Sequence, residues 1–265
     1  MTKNSLLKLL FQISKYYQQG ISLTELLVAL VVSSVVISFA AKGAVNLLSF
    51  SDSANAKSTA VSTLNRTIAY MQEEIKSSLS ITQENSLVAG TSCLSTAVDS
   101  NECLVLTFPA SYNENLHDDC DSGSNEGKVY YGYEDISSNS NEIWLKPGIL
   151  KRKVVCYEIT NDGGTPADFS DDTTALVTTN WTVVGDGLIS VNETQPTVTC
   201  DQDSMTNWPG DATVYGADSS GEGGFRFCLE TTNNRLARIF LYGHIIADGD
   251  NEQIALSSIA YSRAD

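Results

Sequence analysis

The apolar positions of the chain follow three patterns. Residues 26–41, LLVALVVSSVVISFAA, run 16 in a row without a charge, and as a helix rising ~1.5 Å per residue they would be roughly 24 Å long. Counting from Ile21 adds five residues, enough for a hydrocarbon layer of ~30 Å. From Val61 the pattern changes. Val61, Leu64, Ile68, Met71, Ile75 and Leu79 recur at spacings of three and four, one face of an amphipathic helix with Arg66, Glu73, Glu74 and Lys76 opposite. Between Lys42 and Ala60 the chain is richer in Ser, Ala and Asn, with Gly43 as a weak point. Together these predict one long helix from about 22 to 82, ended by Asn85 and Gly90.

Beyond residue 90 short apolar runs alternate with Gly, Ser, Thr, Asn and Asp. Strands are predicted at 103–108, 128–133, 142–146, 149–159, 181–191, 225–230, 236–242 and 252–262. Pro147-Gly148 is a turn pair, so 142–146 and 149–159 read as a hairpin. The segments 111–127, 160–175 and 201–223 are acidic and Gly/Ser-rich, hence surface loops. The predicted fold class is α+β: a long N-terminal helix, membrane-spanning in its first part and packed in its last part on an antiparallel β-sheet head.

Charge sharpens this picture. The 265 residues carry 16 Lys+Arg against 32 Asp+Glu, a formal net charge of −16. Phosphate binding needs a basic face, so nucleic acid is not the expected partner. The basic residues are unevenly placed: residues 1–20 hold Lys3, Lys8 and Lys15 and no acid. A positive segment before an apolar run keeps its own side in the cytoplasm and sends the rest across. Glu25 breaks the pattern, because a carboxylate near the start of an apolar helix is costly unless it stays wet or is paired.

The string Gly20-Ile21-Ser22-Leu23-Thr24-Glu25, followed at once by LLVALVV, resembles the cleavage and methylation signature of type IV prepilins. The resemblance implies that residues 1–20 are a leader cut after Gly20 by a prepilin peptidase. Ile21 would be the mature N-terminus and the site of N-methylation, although the family usually has Phe there. Glu25 is the family's retained acid. It would pair with the free terminal amine of an incoming subunit, each charge offsetting the other, and so set the assembly register. An ordinary secretory signal peptide cut after Ser38-Phe39-Ala40 is the rival reading. It would need more than 20 residues before the apolar run and would leave Glu25 without a role.

LNRTIAYMQEEIKSSLSI (64–81), WTVVGDGLISV, LARIFLYGHI and the closing IALSSIAYSRAD look like the helix and later strands of PilW/GspJ-type minor pilins. The resemblance divides the chain into a leader (1–20), a transmembrane or filament-core helix (21–42), a helix extension (43–85) and a β-rich, disulfide-containing extracytoplasmic head (86–265). It implies a non-catalytic minor pilin or pseudopilin that initiates or caps a type IV pilus or a type II secretion-like pseudopilus. Its partners would be the peptidase, other pilins through the N-terminal helix, and the inner-membrane assembly machinery. It would be a single-pass inner-membrane precursor with its head outside the cytoplasm. A pseudopilin dedicated to polysaccharide secretion is a subfamily alternative. A membrane-anchored adhesin or carbohydrate-binding head, using Trp144, Trp181 and Trp208, is the competing class.

On this reading the cysteines lie where disulfides persist. Cys93, Cys103, Cys120, Cys156, Cys200 and Cys228 can pair in fifteen ways, and none forms a C-x-x-C. The simplest arrangement joins nearest neighbours. Acidic loops raise calcium, with Asp201 and Asp203 the weak candidates, but none of these loops fits a twelve-residue calcium pattern. No cofactor is expected. GSNEGK (123–128) is one residue short of a phosphate loop, no G-x-S-x-G occurs, and neither His117 nor His244 has a nucleophile beside it in sequence.

Overall fold

The computed structural model describes residues 22–87, 93, 102–123, 125–138, 143–161, 172–191, 193, 198–201, 213–216, 223–230, 232–247 and 250–263. Gly20, Ile21 and Asp203 lie outside these residues, as does Trp208. A 55-residue helix, α1 (Leu23–Ser77), passes through Gly43 without a break. It ends five residues earlier than the 3–4 spacing predicts. The Ser78 N–H and hydroxyl both turn back to the Ile75 carbonyl (3.2 and 2.8 Å), and the Leu79 N–H leaves for Thr107 O at 2.7 Å. Ser80–Glu84, β1, then adds to the sheet, with Ile81 pointing into the core. A neighbouring strand edge with open hydrogen-bonding groups outweighs one further helical turn.

Eight more strands follow: β2 (Cys103–Phe108), β3 (Gly127–Asp135), β4 (Gly148–Asn161), β5 (Thr173–Thr178), β6 (Thr182–Leu188), β7 (Phe225–Leu229), β8 (Leu236–Ala247) and β9 (Asp250–Tyr261). All pairings are antiparallel, in the order β1-β2-β3-β4-β6-β8-β7, with β5 on β4 and β9 on β8. The long α-helix against an antiparallel sheet makes the protein α+β and pilin-like. β5 and β6 line the same side of β4 end to end. At their junction Thr179 donates its N–H to Val154 O (3.0 Å) and accepts the Val154 N–H on its hydroxyl (2.9 Å), so a side chain supplies the missing rung.

Two expectations are corrected. The described residues 143–147 form a loop rather than a strand, and β4 pairs with β3 from Asp135↔Gly148 to Lys128↔Val155. The 143–147 segment is fastened instead to β6, with the Leu145 N–H on Asp186 Oδ2 (3.1 Å) and the Gly187 N–H on Leu145 O (2.9 Å). Pro147 also has no N–H to give a ladder. The second correction is β5, whose first half, 173–175, lies in the segment 160–175 read as loop. Its threonines suit a half-exposed strand though they carry little apolar signal.

The core lies between α1 and the inner face of the sheet. Leu64, Ile68, Met71 and Ile75 enter it beside Leu104, Leu106, Val129, Leu150, Phe227 and Ile239. Thr67 is buried with them and donates to Thr63 O and to Val184 O, both at 3.0 Å. Opposite it Gly185 has no Cβ; one placed there would lie 2.8 Å from Thr67 Oγ1. The absent side chain lets helix and sheet approach closely. α1 also lies along β9: Gln72 Nε2 donates to Ser258 Oγ (2.5 Å) and to Ile259 O (3.3 Å), and the Arg263 N–H reaches Lys76 O (3.1 Å). The sheet curls back on itself, since the Ile81 N–H of β1 bonds Asn234 O at 2.7 Å in the turn between β7 and β8. Asn234 holds φ 54°, a region that Asn tolerates better than most residues.

Disulfides staple flanking segments to this sheet. Cys93–Cys103 and Cys200–Cys228 hold small clusters on the outer face, around Leu87, Val105 and Tyr130 in one case and Ile189, Phe240 and Tyr242 in the other. Cys120–Cys156 ties the segment after a 3-10 helix (Ala110–Asn115) to β4 on the core side.

Candidate functional site

The helix start is built by its own sequence. The Ser22 N–H donates to Glu25 Oε2 (3.1 Å), and the Glu25 N–H donates to Ser22 Oγ (3.2 Å). This reciprocal Ser-x-x-Glu pair is a capping box, which satisfies two of the donors that open every helix. Glu25 therefore has a local partner, and the sequence signal was present in Ser22 three residues before it. The carboxylate is exposed in the single chain, so a cation from outside the chain can replace that N–H as its partner. Beyond it the large apolar side chains from Leu23 to Phe50 are exposed on all sides, and the helix is long and apolar enough to cross a membrane.

The head carries a separate polar clamp under the last turns of α1. Arg152 on β4 grips Glu74, with Nη2 2.6 Å and Nε 3.0 Å from Oε1, and both side chains are about 85% buried. Tyr131 donates its hydroxyl to the other oxygen, Oε2, and Tyr70 OH lies 3.3 Å from Oε1. Glu74 thus faces the sheet and not solvent, correcting the helical-wheel expectation. Burial pushes the Tyr131 hydroxyl well above its ordinary pKa, and the Glu74 charge raises it further. Tyr133 is raised by burial and then by the Asp135 and Glu193 charges, while its hydroxyl donates to Ile189 O at 2.8 Å. Asp135 is partly desolvated, which alone would raise it. Hydrogen bonds from Ser137, Ser190 and Val191 outweigh that and hold it below the usual carboxylate value.

A cleft of about 240 Å³ opens where the head's first helical turns meet β6 and β8. Ala56, Thr59, Ala60 and Thr63 form one wall, and Leu145, Gly187 and Ile245 the other. Beside it Ile143, Trp144 and Leu145 are three consecutive exposed apolar residues. His244 also lines the cleft, with Nδ1 3.2 Å from Glu193 Oε1.

The other candidates are not brought together. Asp201 is exposed in a turn. Asp121, from the acidic 118–121 loop, accepts the Ile159 N–H (2.7 Å) and so anchors the loop to β4. His117 accepts the Asp119 N–H. Among the described residues no three His, Cys, Asp or Glu side chains converge as a metal set. All six cysteines are disulfide-bonded. Trp144 is partly exposed, whereas Trp181 is half-buried with Lys153 over its ring.

Against known families, the prokaryotic N-terminal methylation motif matches residues 15–41, which spans the capping box and the apolar run. No curated protein and no solved structure matches the chain.

Proposed function

We propose that this chain, type IV pilin-like by its N-terminal methylation motif, is a minor pilin or pseudopilin that initiates or caps a filament. The observation that carries the reading is the motif's position. It lies on the apolar start of a 55-residue helix whose other end is built into a large disulfide-bonded head. A helix that carries no charge from Leu26 to Ala41 and leads into a folded head suits a subunit that waits in a bilayer and then transfers its helix into a bundle of like helices.

On this reading a prepilin peptidase cuts after Gly20, Ile21 is N-methylated, and the precursor sits in the inner membrane with its head outside the cytoplasm. The role is structural. Processing leaves 245 residues with 13 basic residues against 32 acids, a strongly acidic head that would repel nucleic acid. The head is large for a repeating shaft subunit, which favours a minor subunit.

Intact mass from cells with and without the prepilin peptidase tests the class. Loss of residues 1–20 and gain of one methyl group, only when the peptidase is present, is the expected result. A retained leader in both strains, or a cut near Ala40, would overturn it. Immunogold labelling of sheared filaments then separates tip from shaft.

A further inference from the structure

We propose that the cleft beside Leu145 receives the Val45–Phe50 turn of a second copy of this chain. The inference rests on the filament-subunit reading and names one contact within it.

The first observation is a surplus of apolar helix. From Leu23 to Phe50 the exposed large side chains continue over 28 residues, about 42 Å at ~1.5 Å per residue, against a hydrocarbon layer of ~30 Å. The stretch from Ile21 to Ala41 already spans that layer, and Lys42 follows it, where a lysine can reach the headgroups. Val45, Leu47, Leu48 and Phe50 are therefore left beyond the hydrocarbon, exposed and without charge.

The second observation is the cleft. Its volume of about 240 Å³ is below the ~300–1,000 Å³ usual for small-molecule sites, and suits one or two aliphatic or aromatic side chains. Ala56, Thr59, Ala60 and Thr63 make its helical wall, and such small residues let another helix approach closely. Lys146, Asp186 and His244 also line the opposite wall; there Asp186 accepts the Leu145 N–H, the Gly187 N–H is held by Leu145 O, and His244 Nδ1 lies 3.2 Å from Glu193 Oε1. The bonds of Leu145 also fix the loop that displays Ile143 at 88% and Leu145 at 53% exposure. A mainly apolar cleft with an apolar lip, on a head of strongly acidic composition, matches an uncharged apolar turn. The chain itself supplies one.

Cysteine cross-linking in intact cells tests this. The native cysteines are all paired, so an introduced thiol has no native partner. Two differently tagged full-length copies are co-expressed, one carrying Leu145→Cys and the other Leu48→Cys, and mild oxidant is added. A disulfide-linked heterodimer is expected, and it should be lost when Ala60→Trp fills the cleft. Val32→Cys in place of Leu48→Cys should give none; an equal yield would mean random collision and would overturn the proposal. Absence of the heterodimer in cells whose protein has lost residues 1–20 and entered filaments overturns the docking contact and leaves the filament reading standing. Absence together with a retained leader overturns both. Intact mass of each single-cysteine variant, showing three native disulfides, ensures that misfolding is not the cause.

Discussion

Arg152 on β4 and Glu74 on α1, 78 residues apart in sequence, form a two-nitrogen ion pair that is about 85% buried on each side. Removing one partner leaves the other charge in a poorly hydrated place. Arg152→Met should therefore lower stability by about 3 kcal/mol, at the low end of the range for buried pairs because some exposure remains. The double variant with Glu74→Met should cost less than the sum of the two single changes. Urea unfolding of the detergent-solubilised protein gives all four corners of the cycle, and simple additivity would show that the pair is not coupled.

Gly185 and Thr67 supply the second prediction. A methyl group at 185 would lie 2.8 Å from Thr67 Oγ1, so Gly185→Ala should cost ~1–3 kcal/mol through overpacking. Thr67→Ala in the same chain should recover part of that loss, since it removes the atoms in the way. An unchanged midpoint for Gly185→Ala would mean that helix and sheet do not meet this closely.

Alkaline pH should unfold the head through its tyrosines. Tyr131 and Tyr133 are both raised above the ordinary tyrosine value of ~10, by burial first and by neighbouring carboxylates second. A group raised in the folded state contributes stability that is whole below its unfolded pKa and falls as pH rises beyond it. Stability should thus decline above about pH 10. In a titration followed by phenolate absorbance, a late set of tyrosines should ionise together with loss of the fold. Smooth ionisation of every tyrosine near pH 10 with the fold intact would contradict this.

Glu25→Ala should leave removal of residues 1–20 unaffected and reduce incorporation into filaments. Ser22→Ala removes only the hydroxyl half of the capping box, worth ~1 kcal/mol at a helix start, and should be the milder change. Comparing processing by mass with filament yield by shearing separates the two steps. Normal filament yield from Glu25→Ala would remove the register argument.

The parts of the fold that could be read in the sequence are those whose signal is local. Spacings of three and four between Leu64 and Ile75 mark the buried helix face, and Ser22, Glu25 and the run after them mark the helix start. Failures come where the partner is distant. Glu74 looks solvent-facing on a helical wheel until β4 brings Arg152 beneath it. Ile143-Trp144-Leu145 has strand-forming residues but is committed to Asp186 and Gly187 on β6. The cleft was invisible for the same reason, because its walls come from residues near 60, 145, 187 and 245. Thr173–Thr178 was missed because its threonines carry little apolar signal and only Ala175, Leu176 and Val177 lie between them, although β-branching suits Thr and Val to a strand.

The run of α1 along β9 has a consequence for handling the head alone. β9 is twelve residues long and contains neither Pro nor Lys, two common guards against unwanted strand pairing. Gln72 and the last turn of the helix take that place. A head cut free of its helix near residue 78 would therefore lose the helical wall of its core as well as the cover on β9, and would join others of its kind edge to edge. One that begins near residue 53 would keep its margin sealed. For this sheet the helix is a selvedge as well as a stalk.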